Sequence, residues 1–285
     1  MAPKIWDVLS ESKRIIHAQP RHYLTLSLFL LPASFLSLLS QLIFKHLQQQ
    51  KSPTNSPTII SVYLLFIILC SIVTCGALIT IIYSVFNAYF NRPIKLKEAI
   101  KSISKSFFPL LATNIVTLVI FFFIFFLFSL LIIGLIWFLI IYRDHVDATT
   151  IYLVTICYML LMLVFLPLVI YLAINLSLVK IIVVVESRWG FEPLKISWKL
   201  VKGMKRLILS IILLFGFLEV ILSCIVSYSW VLVFVISPIL AIISLYNIAV
   251  YTVLYIYCKE KHGEVADLEF GDKVKDQANL SLIPL

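Results

Sequence analysis

Charge is what this chain has least of. Only 13% of its 285 residues are Asp, Glu, Lys or Arg, about half the share usual in soluble domains. Hydrophobic residues make up 62% and the mean hydropathy is +1.07. A soluble chain of this length could not hide so much apolar surface. That excludes a soluble enzyme, a secreted disulfide scaffold and a disordered protein. Cysteine gives no framework either. Of the five cysteines, Cys70, Cys75, Cys157 and Cys224 lie inside apolar runs and Cys258 closes one. No CxxC or Cys/His spacing suits zinc. HExxH, GxSxG, histidine boxes and P-loops are all missing. Arg143-Asp144-His145-Val146-Asp147 reads as a solvated turn rather than a metal site. No catalytic residue, metal or cofactor is therefore assigned, and a non-enzymatic protein is expected.

What is present is apolar length. A membrane-crossing helix needs about 20 mostly apolar residues. Six stretches qualify, at 23–44, 59–87, 108–141, 151–178, 207–227 and 230–257. The first is too long for the apolar region of a cleavable signal peptide and is expected to remain as a span. The third is long enough to require tilt, a kink or a protruding end. The reading is a single six-span, all-α membrane domain over 1–258, followed by a mobile tail over 259–285.

The basic residues are placed unevenly. The N-terminal segment, the second and fourth connections and the tail hold 20 of the 23 Lys and Arg residues, and the other connections hold 3. The positive-inside rule then sets both termini in the cytosol. The excess of positive charge reads as a topology and interface signal, and nucleic acid is not expected as a partner. The compartment stays open between endoplasmic reticulum and plasma membrane.

Three of the basic segments also carry helical periodicity. In 94–107, Leu96, Ala99, Ile100, Ile103 and Phe107 share one face, while Lys97, Lys101 and Lys105 form a stripe elsewhere. In 191–202, Phe191, Leu194, Trp198 and Val201 oppose Lys195, Lys199 and Lys202. In 4–16, Ile5, Val8, Leu9, Ile15 and Ile16 share a face. Each reads as an amphipathic helix in the plane of the interface, and each precedes two spans. Their starts lie about a third of the chain apart, which predicts three parallel repeats of an interfacial helix plus a helical hairpin. The six lysines are candidates for binding lipid head groups, with the bilayer and its anionic lipids as the expected partner beside membrane proteins of unknown identity.

Glu219 is the only acid within the six spans. An ionisable group at that depth is costly and should face the bundle. Gly216, Ser223 and Ser227 fall on roughly the same side, a small and polar strip suited to close packing. Two functions follow from these features. One is a non-enzymatic module that organises lipids or partner proteins at the cytosolic leaflet. The alternative is a transporter or channel for a small or lipidic solute, with Glu219 in its path. The leaflet module is preferred, because a transport path calls for several polar groups converging at mid-membrane.

Glu192-Pro193-Leu194-Lys195-Ile196-Ser197-Trp198-Lys199-Leu200-Val201-Lys202-Gly203 resembles a P-L-x-x-S-W-x-L-x-K-G signature found before a pair of spans in bacterial six-span proteins. These include the membrane domain attached to some glycerophosphodiester phosphodiesterases and related families of unknown function. The N-terminal Trp6, Leu9, Glu11, Ser12, Arg14 and Ile15 follow the W-x-x-L-x-E-S-x-R-I pattern of a plant family of uncharacterised six-span proteins. The resemblance implies a membrane module and no reaction, since nothing outside the spans is large enough to be the phosphodiesterase domain.

The 20-to-3 asymmetry is directly testable. Engineered N-glycosylation acceptors are expected to be modified only within 45–58, 142–150 or a lengthened 227–229 turn. The native sequon at Asn279 is expected to stay bare, and its modification would overturn the topology.

Overall fold

A computed structural model describes residues 4–49, 56–92, 96–142, 148–226 and 229–263. The Arg143–Asp147 cluster, Ser227 and tail residues 264–285 lie outside the described residues. The described chain is helical throughout: α1 (Ile5–Ala18), α2 (Pro20–Gln49), α3 (Ser56–Tyr89), α4 (Leu96–Tyr142), α5 (Ala148–Leu176), α6 (Val179–Glu186), α7 (Glu192–Leu200), α8 (Lys205–Val226) and α9 (Val231–Lys261). Among the described residues, six helices are long and apolar enough to cross a membrane: α2, α3, α4, α5, α8 and α9.

The three expected units start at Ile5, Leu96 and Glu192, but their joints differ. Pro20 opens α2, and the residue before a proline is pushed out of the helical region. Gln19 accordingly sits at φ −136°, ψ 67° and separates α1 from α2. In the third unit Gly203 breaks the chain at φ +88°. In the second unit the amphipathic segment is not a separate helix: α4 runs through Pro109 without interruption for 47 residues. At 1.5 Å per residue that is about 70 Å, far beyond a roughly 30 Å hydrocarbon core. Ile103, before Pro109, approaches Gly76 of α3, and Asn114, after it, donates to Cys75 Sγ at 3.4 Å. Both sides of the proline thus meet one turn of α3.

An unexpected element, α6, follows α5. At the α5 end Asn175 Nδ2 donates to the Tyr171 carbonyl and Ser177 Oγ to the Ile174 carbonyl, a local competition for backbone groups that favours a break. Of the eight residues of α6, all but Lys180 are buried. The helix is enclosed by α3, α4, α7 and α9.

Packing is concentrated at the end of the bundle that carries the basic segments. There α9 is buried almost all round, through Ala249, Val250, Thr252–Ile256, Cys258 and Lys259. The main core joins it to α1, α2, α3, α6, α7 and α8. Towards the other end α2, α8 and α9 stay together. Ser34 Oγ donates to the Ser237 carbonyl at 3.0 Å, and Leu38, Val226, Val233 and Ile236 form a second cluster. The outer halves of α4 and α5 do not join it. Among the described side chains from Asn114 to Trp137 and from Tyr152 to Ala173, only Phe128 and Phe165 are buried, stacked on each other at 3.9 Å between centroids.

Candidate functional site at the basic end

All six candidate lysines, Lys97, Lys101, Lys105, Lys195, Lys199 and Lys202, are exposed. Their helices bury the opposite face. α4 turns in Ala99 and Ser106, and α7 turns in Pro193, Ser197 and Leu200. The two sets of three are not one cluster. They flank α6, which packs against both α4 and α7 and carries exposed Lys180 on its own free side. Arg188 extends the basic surface just beyond α6.

The motif residues of α7 have separate physical tasks. Pro193 sits in the first turn, where its missing N–H leaves no helical bond unmade. Ser197 is fully buried and donates to the Asn175 carbonyl at 2.6 Å, fixing α7 to the last turn of α5. Gly203 has the positive φ that favours glycine, and a Cβ there would lie 2.9 Å from Lys261 Nζ, which donates to the Gly203 carbonyl at 3.0 Å. Phe191 and Trp198 depart from the expected pattern. They are exposed rather than packed with Leu194 and Val201, because the α7 core contacts are made by Pro193, Ser197, Leu200 and Val201. Trp198 stands edge-on to Tyr171 of α5 at 5.9 Å, and Lys205 lies over the other ring of that pair, Tyr171, at 4.6 Å. Trp6, Phe108 and Trp189 are also largely exposed, next to the basic segments.

Beneath this surface lies a charge cluster that hydropathy reasoning missed. The Glu186 side chain is 3% exposed and that of Lys259 is 2% exposed, with Nζ and Oε1 3.1 Å apart. The Tyr255 hydroxyl donates to the same Oε1 at 2.7 Å, and Arg188 Nε approaches Oε2 at 3.4 Å from the surface. Lys259 falls in the expected tail, but α9 runs four residues past the expected span end at 257 and draws it inside. The available signal was an acid closing the unbroken apolar run Ile181–Val185, a pattern unlike a solvated loop.

Glu219 is half-buried on the packed side of α8, one turn after buried Phe215 and seven residues before buried Val226. It interacts electrostatically with Tyr251 of α9. Side chains lean towards the N-terminus of their helix, and α8 and α9 are antiparallel, so these two lean towards each other. The expected close packing at Gly216 is not seen, since a Cβ there would meet nothing within 4 Å. Asn114 Nδ2 donates to Cys75 Sγ and Asn175 Nδ2 to the Tyr171 carbonyl, while the buried Oδ1 atoms of Asn175 and Asn247 have no partner among the described residues. Among the described residues no three His, Cys, Asp or Glu side chains gather as a metal set would.

The buried pair gives a quantitative expectation. Removing one member of a buried pair strands the other charge and typically costs about 3–5 kcal/mol. Glu186→Gln and Lys259→Met should each lower the thermal stability of the detergent-solubilised protein by that order. The double variant should recover much of the loss, giving a coupling energy above about 1 kcal/mol. Additive single effects would show that the two groups do not depend on each other.

A family model, Domain of unknown function (DUF8558), matches residues 54–275. No curated protein and no solved structure matches the chain. Nothing in the matches bears on the likeness to the phosphodiesterase membrane domain. The matched segment takes in α3 to α9 and with them both lysine sets, the Glu186–Lys259 pair and Glu219. The chain belongs to the DUF8558 family.

Proposed function

We propose that this member of the DUF8558 family is a non-enzymatic membrane module that organises lipids, anionic ones above all, or partner proteins at the cytosolic leaflet. The observation that carries the reading is the joint exposure, at one end of the bundle, of Lys97, Lys101, Lys105, Lys195, Lys199 and Lys202 together with Trp6, Phe108, Trp189 and Phe191. Aromatic residues of this size favour the head-group level of a bilayer. Basic side chains beside them meet the negative surface potential of a cytosolic leaflet. The positive-inside asymmetry supports placing this end, with both termini, in the cytosol of an endoplasmic reticulum or plasma membrane protein.

Transport along a path containing Glu219 has less support. Glu219 has the Tyr251 phenol within electrostatic range, whereas a relay across the bilayer calls for a continuous chain of polar groups.

The test is lipid selectivity in vesicles. In phosphatidylcholine vesicles holding a minor fraction of spin-labelled phosphatidylserine, the protein should immobilise the anionic probe in preference to spin-labelled phosphatidylcholine. Replacing all six lysines with Gln should remove most of that preference, at up to about 1 kcal/mol per charge near the surface, while insertion and helicity stay unchanged. A wild-type protein without preference, or a variant that keeps it, would contradict the reading.

A further inference from the structure

Beyond the general basic surface, one location has the parts of a specific site. Tyr171 near the end of α5, Trp198 of α7 and Lys205 at the start of α8 meet where three helices converge, and α5 packs on both α7 and α8 there. We infer that the junction of α5, α7 and α8 is a binding notch for the head group of one anionic phospholipid, with the phosphodiester held by Lys205 and the acyl chains lying along α5 and α8. The inference rests on the lipid reading above and adds to it a place and a determinant, Lys205, outside the six candidate lysines.

The charge balance favours an anion. Lys202 and Arg206 are exposed on either side of Lys205, and Lys195 and Lys199 lie one to two turns back along α7. The acid on α7, Glu192, stands at its far end. Lys205 opens α8, so the positive end of that helix dipole points to the same spot. The Lys205 ammonium rests on the Tyr171 ring, which holds it at the helix junction without using an acidic partner. Trp198 supplies an amphipathic ring at the depth of the glycerol backbone.

The apolar surfaces above the notch suit acyl chains. Leu163 and Val164 of α5 and Leu213 and Phe217 of α8 are all more than half exposed and continue away from the basic end. A water-soluble phosphate compound would leave these surfaces unused, which is why a lipid is the occupant named.

The chain has five tryptophans, which makes a local readout available. Trp6, Trp137, Trp189 and Trp230 are changed to Phe, leaving Trp198 as the emitter, and folding is verified by thermal stability in detergent. In phosphatidylcholine vesicles with a minor fraction of brominated lipid, brominated phosphatidylserine should quench Trp198 more strongly than brominated phosphatidylcholine. Lys205→Gln should reduce that preference about fivefold, as expected for the loss of one charge near an anionic lipid. Lys205→Arg should retain it. An unchanged preference in Lys205→Gln, or none in the parent, overturns the notch. If vesicle-wide selectivity for spin-labelled phosphatidylserine persists in either case, the broader lipid reading stands without it. Absence of vesicle-wide selectivity in the wild-type protein, with all five tryptophans in place, overturns the lipid reading itself.

Discussion

A carboxylate placed under a membrane protein's surface must be matched, and Glu186 is matched three times, by Lys259, Tyr255 and Arg188. The rest of the basic end depends on this. Lys259 and Tyr255 are one turn apart on α9, so their bonds to a single carboxylate fix both the height and the rotation of α9 against α6. With that register set, Cys258 meets Met204 at 3.3 Å and Lys261 reaches the Gly203 carbonyl, which places the turn between α7 and α8. α7 is then held from its other side by Ser197 on Asn175. A buried pair of this kind is weak evidence for stability, because desolvation offsets most of its attraction. Its contribution is to specify one arrangement: any register slip would leave a charge buried without its partner.

The other end of the bundle follows a different rule. In lipid no hydrophobic force drives helices together, so close contact needs small residues, polar bonds or interlocking rings. α2 and α9 have these in the Ser34–Ser237 bond and the Phe35–Phe234 contact. The described outer halves of α4 and α5 rely on Phe128 and Phe165, with Phe125 edge-on to Phe165, and their other described large side chains are exposed or half-buried. The result, among the described residues, is a densely packed basic end and a sparsely packed opposite end. A rigid display of basic and aromatic groups suits selective contact with head groups, whose spacing is set by the protein.

The sequence disclosed its apolar runs well, because six spans of the required length and a strong basic asymmetry leave little freedom in an all-α membrane fold. It also disclosed which lysines are exposed, since the apolar positions of α1, α4 and α7 recur at helical spacing. Three features were not legible. Hydropathy windows treat a charged residue as the edge of a span, so they place Glu186, beyond the span ending at 178, and Lys259, in the tail, outside the bundle. The second unit reads as an interfacial helix followed by a separate span, yet the two form one helix with Pro109 inside it, where contacts to α3 hold the chain on both sides of the proline. Trp198 has the right spacing for a buried face, but α7 buries Pro193, Ser197 and Leu200 instead, and Trp198 meets Tyr171 at the rim. Each depends on contacts between segments far apart in the chain.

Dense packing at the basic end and sparse packing at the other should show as a difference in conformational spread. Double electron–electron resonance in lipid nanodiscs tests it with two pairs of spin labels, one at Ser104 and Arg206 and one at Leu130 and Val235, all exposed positions. The account expects a single narrow distance distribution for the first pair and a distinctly broader one for the second. Equal widths at the two ends, or a broader distribution at the basic end, would contradict it.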